Sequence, residues 1–135
     1  MKKRILVLLS VVALMVGVFA TAAYAATIFC TTDLCIGTAN KDTIYDDPGA
    51  TEIRAKAGND VVRGDYYWYD DEDLLLGQRG NDLLDAADFD TGDVVNGGGG
   101  TDVCLIDRNT ETKDTDSTSN CETVRVSTWD PDDIE

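Results

Sequence analysis

Residues 77–85 read GQRGNDLLD and residues 97–105 read GGGGTDVCL, two nine-residue blocks with Asp sixth and a buriable residue eighth. The same frame holds at 37–45 (GTANKDTIY) and 55–63 (AKAGNDVVR). The intervening blocks fit it with looser turns: 46–54 (DDPGATEIR), 64–76 ending in DLLL after four extra residues, and 86–96 ending in DVVN after two. Residues 28–36 (IFCTTDLCI) extend the frame toward the N-terminus. In register, the sixth positions are Asp33, Asp42, Thr51, Asp60, Asp73, Asp82, Asp93 and Asp102. The eighth are Cys35, Ile44, Ile53, Val62, Leu75, Leu84, Val95 and Cys104. Seven Asp in eight blocks, each followed two places on by a residue that can be buried, define an internal repeat.

The unit has a physical logic. A Gly-rich turn lets the backbone visit positive φ without a Cβ clash. A short strand follows, in which the eighth residue points inward while the seventh and ninth point outward. Outward residues such as Thr43, Tyr45, Arg54 and Arg63 suit that reading. One repeat buries almost nothing alone, so stability must come from stacking several.

The surrounding composition narrows the possibilities. Met1-Lys2-Lys3-Arg4 precede a mostly apolar run over residues 5–19, and small residues follow to Ala23-Tyr24-Ala25. This order of basic, apolar and A-x-A segments predicts a signal peptide over residues 1–25, cleaved after Ala25, and hence a secreted, extracellular chain. The apolar run is at the short end for spanning a bilayer, so retention as an anchor is the lesser alternative. Cleavage removes three basic residues and no acidic one, leaving 8 Lys+Arg against 26 Asp+Glu, a net charge of −18. Such a chain repels nucleic acid and anionic membrane surfaces. It is either a solvated polyanion or a fold whose carboxylates are neutralised by cations, and the repeat favours the fold. The chain contains no His, which removes imidazole bases, Ser-His and Cys-His pairs and His-bearing zinc sites.

The pattern G-G-x-G-x-D-x-U-x, where U is a large apolar residue, is that of the haemolysin-type (RTX) calcium-binding repeats. GQRGNDLLD and GGGGTDVCL resemble members of that family, and the resemblance covers about residues 33–105. It implies an all-β parallel β-roll, or β-helix, of about seven to eight repeats, two to a turn, with Ca²⁺ held between stacked turns. The ligands it implies are the carboxylates of Asp42, Asp60, Asp82 and Asp102 and backbone carbonyls of the turns that contain Gly58, Gly77, Gly80, Gly97, Gly98 and Gly100. All-oxygen ligation of this kind suits Ca²⁺. Large toxins and proteases of the family carry further domains and a C-terminal export signal, so their activities are not expected here. The chain is more similar to short, exported, Cys-bearing repeat proteins of bacteria.

If turns alternate sides, Asp42, Asp60, Asp82 and Asp102 line one edge, and Asp33, Thr51, Asp73 and Asp93 the other. The Gly-x-x-Gly-x-Asp turns fall on the first edge, and both insertions fall on the second. Up to three calcium ions are therefore expected, all on the first edge. The Asp42 turn is the weakest, because it lacks its second Gly and sets Lys41 beside the Asp. The competing reading of each turn is that Asp merely caps its own backbone. On the second edge, Asp65, Asp70, Asp71, Glu72, Asp88 and Asp90 could bind a further cation, but are read as solvating long loops. The DFDTGD stretch at 88–93 fails as an EF-hand loop, since Gly is one place early and Gly99 stands where Glu is required.

In such a roll Cys35 and Cys104 are inward residues about three and a half turns apart, roughly 16 Å at the usual strand spacing. That is beyond disulfide reach. Local pairs are expected instead, Cys30–Cys35 and Cys104–Cys121, each pinning an open end. The segmentation read from the sequence is thus signal peptide 1–25, N-terminal cap 26–36, roll 37–105, C-terminal cap 106–126 and acidic tail 127–135.

Three functions compete. The favoured one is an extracellular calcium-binding module that folds as the metal arrives. The second is a structural or adhesive scaffold in which Tyr66, Tyr67, Trp68 and Tyr69 meet a cell-surface glycan or protein, calcium being structural only. The competing reading of these aromatics is that they fold back over the flank of the roll. The third, an enzyme, is not expected, since no G-x-S-x-G or His-Glu-x-x-His motif is present.

Overall fold

The structure, a computed structural model, describes residues 24–46, 52–64 and 72–129. The aromatic stretch 66–69, Thr51, Asp65, Asp70, Asp71 and most of the signal segment lie outside the described residues. Eleven strands run along the chain: β1 (Ala26–Cys30), β2 (Leu34–Ile36), β3 (Asp42–Asp46), β4 (Glu52–Arg54), β5 (Val61–Arg63), β6 (Leu74–Arg79), β7 (Leu83–Asp85), β8 (Val94–Gly99), β9 (Val103–Asn109), β10 (Ser117–Ser119) and β11 (Thr123–Trp129). Among the described residues there is no helix.

Odd-numbered strands form one sheet in the order β1-β3-β5-β7-β9-β11, and even-numbered strands the other, β2-β4-β6-β8-β10. Every pairing between these strands is parallel. The chain alternates sheets at each repeat, so two repeats complete a turn and the molecule is a β-solenoid of about five turns. The expected all-β parallel architecture is what the structure shows.

The register explains why the repeat reads as it does. Ile28, Ile44, Val62, Leu84 and Cys104 stack in one sheet, and Cys35, Ile53, Leu75 and Val95 in the other. All eight eighth-position residues are buried. Each large aliphatic enclosed in this way contributes about 1.5–3 kcal/mol of transfer free energy. Only stacking can enclose them, because a strand supplies one or two side chains to the space between the sheets, β1 and β9 adding Cys30 and Ile106 to the central column. Ala55 and Ala86, first residues of their turns, close that space at its two edges. On the outer face Phe29 stacks on Tyr45 with ring centroids 5.4 Å apart, and the Arg63 guanidinium lies 5.9 Å from the Tyr45 ring.

The solenoid extends beyond the segment assigned from sequence. Residues 26–36 contain β1 and β2 and make its first turn. Residues 107–120, read as part of a looped cap, contain β10, which pairs with β8. Strand β11 pairs with β9 over seven residues, so residues 123–126, assigned to the cap, and 127–129, assigned to the acidic tail, continue the roll. The pattern was hard to follow there because Glu122 stands where an Asp is usual, and Thr118 occupies the inward column below Val95. Both disulfides pair as expected: Cys30–Cys35 joins the first strands of the two sheets, and Cys104–Cys121 anchors the last turn.

Candidate metal centre

The first-edge turns enter β3, β5, β7 and β9 through Asp42, Asp60, Asp82 and Asp102. Three of these turns, at 55–60, 77–82 and 97–102, share a backbone course with positive φ at the second and fourth positions. The second is Lys56 (80°), Gln78 (74°) or Gly98 (100°), and the fourth Gly58 (141°), Gly80 (133°) or Gly100 (149°). At the first position a Cβ on Gly77 would come 2.5 Å from Asp82 Oδ2 and 2.5 Å from the Gly97 carbonyl oxygen. A Cβ on Gly97 would meet Asp102 Oδ2 at 2.6 Å. Absence of a side chain there leaves a carboxylate oxygen and a neighbouring turn's carbonyl converging on one small space.

The four Asp form a ladder along the solenoid axis. The Asp42 N–H donates to Asp60 Oδ1 (2.7 Å), Asp60 N–H to Asp82 Oδ1 (2.8 Å) and Asp82 N–H to Asp102 Oδ1 (2.8 Å). Glu122 supplies the next rung, accepting from Asp102 N–H at 2.6 Å. A second, exposed ladder runs beside it, from Thr101 N–H to Asn81 Oδ1 and from Asn81 N–H to Asn59 Oδ1, each 2.9 Å.

The other carboxylate oxygen separates the four Asp. In Asp42, Oδ2 accepts from Thr38 N–H at 2.6 Å and Oδ1 from Thr38 Oγ1–H at 2.9 Å, so this residue caps its own turn. In Asp60, Asp82 and Asp102, Oδ2 is buried and has no hydrogen-bond partner. An unsatisfied buried oxygen costs about 1–3 kcal/mol, and more when charged. Burial pushes the Asp82 carboxyl up to about 6, opposed by the Asp60 N–H bond and reinforced by the charges of Asp60 and Asp102. Asp60 is raised for the same leading reason. Three half-satisfied carboxylates, two of them (Asp82 and Asp102) converging with a backbone carbonyl of the next layer, are a donor set of hard oxygens that suits a cation such as Ca²⁺. The glycines singled out from sequence contribute backbone shape and carbonyls. Gly58, Gly80, Gly98 and Gly100 adopt the positive φ, while Gly77 and Gly97 leave room for the carboxylates.

The second edge uses the same rung. Asp73 N–H donates to Asp93 Oδ1 (2.8 Å), and Asp93 N–H to Asp116 Oδ1 (3.3 Å). The insertion before β8 also brings Asp88, Asp90 and Asp93 together, with one carboxylate oxygen of each within 4.8 Å of the others. Burial is the first cause that raises Asp88 to about 7 and Asp93 to about 8, with repulsion from neighbouring carboxylates adding to it. The structure thus departs from the reading of this loop as simply solvated: Asp88 and Asp90 are half-buried and Asp93 is 1 % exposed. The one signal available in the sequence was three Asp within six residues, which loop composition alone also produces.

The chain matches no protein-family model, no curated protein and no solved structure.

Proposed function

We propose that this protein is a secreted calcium-binding module of haemolysin-type repeats, whose first-edge turns hold Ca²⁺ between successive layers of the roll. The observation that carries this reading is the set of buried, unpartnered Oδ2 atoms on Asp60, Asp82 and Asp102, of which those of Asp82 and Asp102 face the side-chain-free Gly77 and Gly97. The gaps between Asp60 and Asp82 and between Asp82 and Asp102 are the best candidates. Asp42, whose oxygens are already used by Thr38, is the poorest ligand of the four. The Asp rungs set the spacing of the turns, the glycines admit the carboxylates, and the cation supplies the positive charge that the buried oxygens lack.

Two disulfides fit an oxidising, extracellular compartment, in keeping with the signal-like N-terminus. With −18 charges outside the signal segment, the metal-free chain opposes its own compaction, so binding contributes directly to folding. A site at a hundred times its dissociation constant adds about 2.7 kcal/mol. The role proposed is that of a binder; without His the chain has no imidazole base to activate a Ser or Cys nucleophile.

Far-UV circular dichroism of the oxidised protein in EDTA, followed by titration with Ca²⁺ and with Mg²⁺, tests the proposal. The expected result is a gain of β signal and of melting temperature at about 10⁻⁴–10⁻³ M Ca²⁺, the range of extracellular modules, with little response to Mg²⁺. A spectrum already β in EDTA, with a melting point indifferent to calcium, would overturn it.

A further inference from the structure

We propose that Asp88, Asp90 and Asp93 form a separate calcium site on the second edge, built from carboxylate side chains of an insertion instead of the carbonyls of a Gly-rich turn. It lies across the roll from the first-edge turns and stands whether or not those turns bind metal.

Two independent observations point to a ligand. The three carboxylates each present an oxygen within 4.8 Å of the others. Asp93, 1 % exposed, also keeps its Oδ2 buried without a hydrogen-bond partner, while its Oδ1 serves the Asp73 N–H. A carboxyl fixed by one oxygen and left open at the other, and facing two further carboxyls, is a ligand held in place.

The surrounding groups organise the loop. Asp116, 4 % exposed, uses both oxygens on backbone donors, Oδ1 on Gly92 and Asp93 N–H and Oδ2 on Asp107 N–H. Asp107 Oδ2 accepts from Phe89 N–H at 2.7 Å, and Asp88 Oδ1 from Asp90 N–H at 3.1 Å. Phe89 is held at φ 81° and Gly92 at φ 133°. A non-Gly residue in that region carries a strain of about 1–3 kcal/mol and persists where its surroundings impose it. Asp107 and Asp116 are therefore positioning residues, and Asp88, Asp90 and Asp93 the ligands. The exposed Glu72 side chain packs against Gly92, its Cγ 2.9 Å from where a Cβ would stand.

The donor set selects among cations. It holds no nitrogen or sulfur, which disfavours zinc and copper. Calcium bonds of about 2.3–2.6 Å let oxygens on opposite sides of the ion stand about 4.6–5.2 Å apart, so one ion can bridge this cluster as it stands. Magnesium requires a tighter, near-ideal octahedron and gives up its waters reluctantly.

Amide NMR and equilibrium calcium binding on the oxidised chain test the site. In the wild type, the Phe89, Asp90 and Gly92 amides should shift with added Ca²⁺ and stay unmoved with equimolar Mg²⁺. Asp88→Asn/Asp90→Asn should bind one calcium ion fewer and lose those shifts. Asp60→Asn/Asp82→Asn should keep them while losing first-edge ions, so failure of one set of sites is distinguishable from failure of the other. The wild-type amides report on the cluster even if a variant fails to fold. Unmoved amides at saturating calcium, or an unchanged ion count in the folded Asp88→Asn/Asp90→Asn protein, would overturn the proposal.

Discussion

The two edges of this roll carry the same rung and different turns. On the first edge, the N–H of each Asp from Asp42 to Asp82 donates to the next Asp carboxylate, with Glu122 ending the series. On the second edge Asp73, Asp93 and Asp116 repeat that bond, although their turns vary in length and carry insertions. The sixth-position Asp therefore has a structural task that does not depend on the turn before it: it satisfies a buried N–H one layer away. In the sites proposed here, the capacity to hold a cation is a separate property, drawn on the first edge from backbone carbonyls and on the second from extra carboxylates. An Asp repeat alone reveals the first task and is silent on the second.

Two substitutions at one position would pull these tasks apart, with the largest effect expected. Asp82→Asn keeps an oxygen for the Asp60 N–H but loses the charge; Asp82→Ala loses both. In EDTA, Asp82→Asn should match or exceed the wild type in melting temperature, since burial and the charges of Asp60 and Asp102 already disfavour the carboxylate. Asp82→Ala should be about 1–3 kcal/mol less stable than Asp82→Asn, the cost of an orphaned buried donor. In saturating calcium both should lose up to about 2.7 kcal/mol per vacated site held at a hundred times its dissociation constant. Thermal melts under the two conditions give all four values. Equal stability of the Asn and Ala proteins in EDTA would show that the Asp82 rung does not stabilise the roll, and an undiminished calcium response that Asp82 binds no metal.

The pH response should set the metal-free and metal-bound forms against each other on both edges. Asp82, Asp88 and Asp93 have folded values of about 6, 7 and 8, all above the ordinary 3.8, chiefly through burial. A raised folded value means that the native state holds the proton more tightly than the unfolded chain. Its contribution is complete below about pH 4 and disappears as pH rises through 6 to 8. In EDTA, stability should therefore fall from pH 5 to pH 8. Calcium requires the deprotonated carboxylates, so the stabilisation that it adds should grow over that interval. Melting temperatures that rise with pH in EDTA would contradict the burial of these groups.

Much of the solenoid was legible because its repeat couples two columns of residues. The Asp column and the inward column of Ile44, Ile53, Val62, Leu75, Leu84 and Val95 each confirm the other's register, and all six apolar residues are enclosed. The last turn is less legible because one column departs in each of its repeats: Thr118 stands in the inward column after Asp116, and Glu122 in the Asp column before Val124. The first-edge site was partly legible: Gly and Asp spacing marks the turn, but which oxygen is left unpartnered depends on Thr38 reaching Asp42, a contact with no periodic signature. The Asp88–Asp90–Asp93 cluster was least legible. Its assembly depends on Asp107 and Asp116, 14 residues or more beyond Asp93, turning back to grip the insertion.

The smallest effect concerns the turns themselves. The G-G-x-G-x-D pattern places Gly at the second position, yet this chain has Lys56 and Gln78 there, at φ 80° and 74°, and Gly98 at 100°. An L-residue in the left-handed region costs about 1–2 kcal/mol, partly offset because Gly frees the unfolded chain by about 0.4–1 kcal/mol. Gln78→Gly should therefore stabilise the protein by about 0.5–1 kcal/mol in EDTA and calcium alike, since the carbonyls keep their places. Gly98→Ala should do the reverse and more strongly, because its Cβ would also come 2.7 Å from Gln78 Cα. Phe89→Gly on the second edge relieves the same kind of strain but also loosens the loop that presents Asp88 and Asp90. It should gain stability in EDTA and lose part of its calcium response. If Gln78→Gly and Phe89→Gly respond alike to calcium, backbone strain has no part in holding the second-edge ligands, and the difference drawn between the edges reduces to their carboxylate count.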